Sequence, residues 1–485
     1  MKTIKSAFFV LFAAMTVTSG YCQMVSKQEA TVIAENWIRM IIDQKGHWGG
    51  QEKAHLESGQ NFQSGSRLIG YYFGVKPSGY IVVSLRKELA PVKAYDDRFT
   101  LDPEAEGGMT DLIKTAMMGI IETIESKLGP VESINPATLS GITEIDYVPS
   151  WNYITGYVQG MIQKDTVVTD NYLQGAVLLT SQWHQFPPYN NECPNSNPPC
   201  TTTSNGRTLV GCVATAGAQI MKYWSWPPYR AGAPFNDPYD WANMVDDATT
   251  SSPAAVQAAV AELSAEVGVA VGMSYGCNGS SAVTADMVNV YKVTFAYHTS
   301  CTYTFRSDHS AIGWFDLIKW NINANRPIQY RVIGHSIVCD GWDEIGSPVT
   351  RMYHMNYGWI DQSATTWYTL DALPLGGYNE EYMVIYIVPM TAMGAGLSGT
   401  YTTPAFPYRY FDLDASGSSA TFNSGHMLQI LPNLTIKGTG PTSYVRFYGA
   451  TGANTKIFTN GDPTEGIAIK NGGVRLRNNG TIKLQ

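Results

Sequence analysis

Apolar residues recur at helical spacing along 26–44, where Ala30, Ile33, Ala34, Trp37 and Ile41 share one face. Ser26 precedes Glu29 by three residues, a capping-box spacing, so the helix is predicted to start there. Two strand-length apolar runs follow, 68–75 and 80–85, with the turn residues Pro77, Ser78 and Gly79 between them. A second helix is predicted over 110–128. The stretch 129–175 turns Pro-, Gly- and Asn-rich and reads as a boundary. Beyond it come helical segments at 212–224, 254–267 and 313–324, then strands at 327–333, 335–342, 351–359, 366–370 and 382–389. From about 396, short strands alternate with Gly-Asn turns, the pattern of an all-β module. Its beats at 467–473, 474–480 and 481–485 are too irregular to establish a solenoid.

The chain start follows a different pattern. Lys2 and Lys5 precede an apolar run from Ala7 to Val17, too short for a membrane span, and small residues Ser19 and Gly20 come next. Residues 1–23 are therefore expected to be a signal peptide cleaved between Gly20 and Gln23, which makes the protein secreted or surface-located. Bulky Tyr21 before Cys22 disfavours a lipid anchor. No other stretch approaches the roughly 18 apolar residues that a span requires.

Composition narrows the function. At 485 residues the chain suits two to four units, and 44% hydrophobic content excludes wholesale disorder. Charged residues are only 15%, and the net charge of −8 comes without basic runs, so nucleic acid is not an expected partner. Low charge with 46 Gly, 29 Tyr and 12 Trp fits an exported protein. Seven cysteines are too few for a disulfide-built scaffold, and their number is odd.

Cys212 opens the run GCVATAGAQIMKYW, which places it at a helix N-terminus, where unpaired amides favour thiolate over thiol. A thiolate is a nucleophile for acyl transfer and needs a base. His335 follows Gly334 at the start of an apolar strand, where a rigid backbone aims the ring and the glycine leaves room for substrate backbone. His354 lies between aromatics inside a strand and reads as structural. Asn356 lies on the same strand face as His354 and is a candidate to orient the His335 ring, with Trp359 shielding that bond. The oxyanion needs donors, for which the Cys212 backbone N–H and the Gln185 side chain are the candidates.

At these residues the sequence resembles the streptopain/interpain family of secreted bacterial cysteine peptidases. The motifs are W-x-Q-x-x-P-Y-N at 183–190, G-C-V-A-T-A-x-A-Q-I-M-K-Y at 211–223, Gly334-His335, and Y-H-x-N-x-G-W at 353–359. The resemblance covers roughly 24–395, with GYIVVS and PVKAYDD (91–97) similar to the family's inhibitory propeptide. It implies an α+β chain with a small α+β propeptide over 24–165 and a papain-like two-lobed peptidase domain over 166–395, and the all-β module at 396–485 lies outside it. It implies a zymogen acting on protein or peptide substrates, with its own propeptide as intramolecular inhibitor and no cofactor or metal. Cys212 would be nucleophile, His335 base and acid, Gln185 an oxyanion donor, and Asn356 a support. Substrate would be bound near Ser280, Gly334, Tyr357 and Trp359. Tyr357 stands where the family has Trp, Ile360-Asp361 replace a Gly pair, and the 275–284 loop is shorter.

Of the remaining cysteines, Cys193 with Cys200 fits a short-loop disulfide and Cys277 with Cys301 is the candidate second pair, sequence alone leaving the connectivity open, and Cys339 is expected to be a buried thiol. No zinc-ligand spacing is present among the cysteines and histidines. The alternative function is a catalytically weak, peptidase-fold surface-binding or adhesion protein. A transglutaminase-like transferase shares the Cys/His chemistry but lacks support from the long match around Cys212. Lys164-Asp165 is a candidate processing point.

Overall fold

The computed structural model describes residues 24–135, 138, 144–162, 168–169, 172–227, 239–360, 365–369 and 381–389, and the backbone of the strands from 399 onward. The signal segment, Lys164-Asp165 and Asp361 lie outside the described residues.

Helix α1 (Lys27–Lys45) starts where the capping box predicts. Glu29 N donates to Ser26 Oγ at 3.2 Å and Ser26 N donates to Glu29 Oε2 at 2.9 Å. The chain then forms β1 (His55–Leu56), β2 (Gln60–Ser64), β3 (Arg67–Lys76), β4 (Tyr80–Ser84) and β5 (Val92–Asp96). Helix α2 (Gly108–Leu128) packs over β2 and β3, and α3 (Val148–Thr155) packs on α1. A small hairpin, β6 (Val168–Thr169) and β7 (Tyr172–Leu173), leads to α4 (Cys212–Trp224) and α5 (Ala254–Ala270). Strand β8 (Thr302–Phe305) and α6 (Ala311–Asn323) come next. They are followed by β9 (Ile328–Val332), β10 (His335–Ile345), β11 (Thr350–Asn356), β12 (Thr365–Tyr368) and β13 (Tyr382–Ile385).

One sheet of eleven described strands joins the two regions that composition separates. Its order is β1-β3-β4-β5-β12-β11-β10-β9-β13-β8, with β2 also on β3. The junction is an antiparallel pairing in which Trp367 faces Tyr95 and Tyr368 faces Ala94. Burial follows the sheet across it, so Trp37, Tyr95 and Ile113 share one apolar core with Trp342, Tyr353 and Trp367. Side-chain bonds reinforce the junction. Tyr80 Oη donates to Thr366 Oγ1 at 2.7 Å, and Lys45 Nζ lies 3.3 Å from the buried carboxylate of Asp343. A second core, built on Ala214, Ile220, Leu263 and Tyr291, forms a helical lobe. Helix α4 packs on both α5 and β10, between these two lobes.

The disulfide expectation is corrected. Cys200 bonds to Cys277, with Cα atoms 5.2 Å apart, whereas Cys193 and Cys301 are buried free thiols. Cys193 and Cys301 belong to the helical-lobe core, while Cys200 and Cys277 lie on two loops that meet in space. Cys339 is a buried free thiol, as expected.

In the C-terminal region the strands are β14 (Gly399–Tyr401), β15 (Pro407–Asp414), β16 (Ser419–Phe422), β17 (Met427–Lys437), β18 (Tyr444–Gly449), β19 (Thr455–Phe458), β20 (Ile467–Ile469), β21 (Gly472–Leu476) and β22 (Thr481–Lys483). Strands β14, β16 and β18 run parallel in one sheet, and β15, β17 and β19 run parallel in another. The chain changes sheet at every strand from β14 to β19, which is the winding of a two-sheet parallel solenoid. The last strands pair antiparallel and end the winding. The first coil starts at 399 and 407 and the second at 419 and 427, but the third only at 444 and 455, which hides the period in the sequence.

Candidate active site

Cys212 is the first residue of α4, and the helix begins there because Gly211 takes φ 90°, a left-handed conformation that favours glycine. A Cβ on Gly211 would lie 2.7 Å from Met273 Sδ and 3.1 Å from Ser280 Cβ. Ser280 therefore sits against the residue before Cys212, held by Oγ donating to the Leu209 carbonyl at 2.7 Å. Gln185 comes to the same place from the preceding loop, because its carbonyl accepts from Val210 N at 3.2 Å, and its side chain is buried.

The backbone amides of Ser336, the residue after His335, and of Val213 and Cys212 act to lower the Cys212 thiol. Burial nevertheless outweighs these donors and the nearby Arg331 charge, and the thiol is raised above its ordinary value. The thiolate preference expected from the helix terminus alone is thus reversed in the full-length chain.

His335 is placed by a two-residue hairpin turn, Ile333-Gly334, between β9 and β10, with Gly334 at φ 73°. Its Nε2 lies 2.8 Å from the Tyr357 carbonyl, which can only accept, so Nε2 carries the proton and Nδ1 keeps its lone pair. The ring stacks on Trp359 at 4.9 Å between centroids and, more distantly, on Tyr357 at 6.3 Å. Burial lowers the imidazole to about 4, opposed by the Tyr357 bond and assisted by Arg331.

Asn356 does not reach the ring through any of its hydrogen bonds here. Its Nδ2 donates to the Ser181 carbonyl at 2.8 Å and to Gln219 Oε1 at 3.1 Å. Its Oδ1 accepts from Gly358 N at 3.1 Å. The orienting acceptor for His335 is instead the Tyr357 backbone, one residue on. A backbone carbonyl leaves no mark in sequence, so residue types alone do not reveal it. Gln219 is a residue that sequence reading passed over. The available signal was a lone buried-type amide two helical turns after Cys212 in a run of small and apolar residues. His354 is buried, with Nδ1 2.6 Å from Asp340 Oδ1.

A groove of about 630 Å³ flanks the site, lined among others by His184, Phe186, Trp359, Ile360 and, from the N-terminal region, Phe99. A thiol at a helix start, backed by amides and set beside a strand that begins with an imidazole of free Nδ1, has the parts needed for acyl transfer. Among the described residues no cluster fit to hold a metal ion occurs, and no helix is long and apolar enough to cross a membrane.

Residues 183–368 match the family model described as the Peptidase C10 family. The chain is 32% identical over 189 residues to streptopain of Streptococcus pyogenes, covering 34% of this chain and 46% of that one. It is 28% identical over 245 residues to the thiol protease/hemagglutinin PrtT of Porphyromonas gingivalis, covering 44% of this chain and 27% of that one. The chain thus spans less than half the length of these relatives. Its fold is similar to that of a prointerpain A fragment of Prevotella intermedia, with a TM-score of 0.51 and 23% identity over 68% of this chain and 98% of that one. Motifs, family model and fold agree in likening this α+β chain to cysteine peptidases of the streptopain/interpain kind, as the sequence motifs imply.

Proposed function

We propose that the protein is a secreted cysteine endopeptidase made as a zymogen. The observation that carries this reading is the packing of α4, which begins at Cys212, on β10, which begins at His335. In the reaction, His335 Nδ1 takes the Cys212 proton and the sulfur attacks a peptide carbonyl. The oxyanion is held by the Cys212 amide and the Gln185 side chain. His335 then protonates the leaving amine, giving an acyl-enzyme. Water, deprotonated by His335, attacks the thioester, and collapse returns the thiol and a free carboxylic acid. Trp359 shields the His335–Tyr357 bond, and Ser280, Gly334 and Tyr357 border the substrate backbone.

The β5–β12 junction and Phe99 in the groove wall support the zymogen reading, in which the N-terminal region acts as inhibitor. Export is supported by the pattern of residues 1–23. The test is labelling of the matured protein with an epoxysuccinyl probe. Modification of Cys212 ahead of Cys339, lost in His335→Ala, supports the reading. Equal or absent labelling favours a binding or adhesion role.

A further inference from the structure

Gln219 is fully buried in a helix whose neighbouring positions are Ala218 and Ile220. Burying an amide there is unfavourable unless its bonds are made, and an apolar residue would incur no such cost. Among the described residues its bonds go to the segments that carry Gln185 and the support of His335. Oε1 accepts from Ser181 Oγ at 2.9 Å, Trp183 N at 3.2 Å and Asn356 Nδ2 at 3.1 Å. Nε2 lies 3.2 Å from Asn356 Oδ1. One side chain thereby links three separate pieces: the helix that starts at Cys212, the loop that leads to Gln185, and the turn 356–359. That turn supplies the carbonyl and the indole that hold His335. Asn356 passes the restraint on, through Ser181 O and Gly358 N.

We propose that Gln219 is a positioning residue for the peptidase reaction, setting oxyanion donor and base relative to the nucleophile without touching substrate. This rests on the cysteine-peptidase reading above. A displacement of about 1 Å at reacting groups costs on the order of 100-fold in rate, which is the scale of effect a lost link produces.

The test uses full-length wild type, Gln219→Met, Gln219→Glu and Ser181→Ala, each matured by immobilised wild-type enzyme that is then removed. Sites are counted by epoxysuccinyl titration, and kcat and KM for a chromogenic peptide are expressed per titrated site. Met fills similar volume and makes none of the bonds. Its kcat per site is expected to fall roughly 10–100-fold with KM within about threefold. Glu keeps the shared acceptor and is expected to recover most of that loss. A merely structural role would lower the number of titratable sites and leave kcat per site unchanged, and that result overturns the proposal. Should Gln219→Met yield no folded sites, Ser181→Ala decides: a severalfold fall in kcat per site supports the link and an unchanged value overturns it. If wild type cleaves nothing, the peptidase reading fails first and this inference with it.

Discussion

Burial raises the Cys212 thiol and lowers the His335 imidazole to about 4, so at neutral pH both groups are uncharged. On the zymogen reading, iodoacetamide should alkylate Cys212 at pH 7 more slowly in the chain that retains residues 24–165 than after their removal. Equal rates, read by peptide mass spectrometry, would show that the N-terminal region does not control the thiol. Asp96 poses the opposite problem. It lies on β5 at the junction, where burial and the neighbouring Asp97 raise its carboxyl from 3.8 to about 6, against bonds from Phe99 N and Arg98 N and the influence of His354. Below 3.8 both folded and unfolded chains hold the proton. Between 3.8 and 6 only the folded chain does, and the stability this lends is lost as pH rises through 6. At pH 7.5 the buried carboxylate thus costs roughly 1–3 kcal/mol. Asp96→Asn, made in a Cys212→Ala background to prevent processing, should raise Tm at pH 7.5, and the gain should shrink toward pH 5. A lower Tm at pH 7.5 would contradict this.

Helices and strands were legible in the sequence wherever apolar period and end signals agreed. Helix α4 runs over 212–224 as its pattern predicts, because Gly211 can adopt the left-handed turn that starts it. The capping box at Ser26 forms, and Ser26→Ala should cost about 1 kcal/mol in a urea titration. An unchanged midpoint would mean the cap contributes nothing. The disulfide was not legible, because Cys200 and Cys277 are separated by 77 residues and only the fold brings their loops together. Non-reducing peptide mapping should recover a Cys200–Cys277 cross-link. Recovery of Cys193–Cys200 would contradict the loop arrangement beside Gly211. The candidate site was legible in its side chains but not in their wiring. Cys212, His335 and Gln185 stand on elements that converge. The acceptor that holds His335 is a carbonyl, however, and Asn356 is engaged by Gln219, a residue with no reactive chemistry of its own.

Composition marked a boundary near 129–175, yet at the scale of the whole molecule the sheet runs through it by way of β5 and β12. Strand pairing between distant segments depends on register and edges, which single-strand patterns do not encode. The same limit concealed the solenoid, whose parallel sheets become evident only from the alternation of strands between them. On the proposed zymogen reading, the shared sheet also defines what activation would have to do. Separation of residues 24–165 opens the β12 edge and removes Lys45 from the buried Asp343. On the proposed reading, the whole molecule is built around Cys212 as the nucleophile of a peptidase. The most direct measurement is casein cleavage by wild-type and Cys212→Ala protein, prepared identically as full chains, with intact masses followed over time. Wild type should shed its N-terminal region and cleave casein, while Cys212→Ala should keep its full mass, its circular dichroism and no activity. Casein cleavage by Cys212→Ala at the wild-type rate would contradict the account.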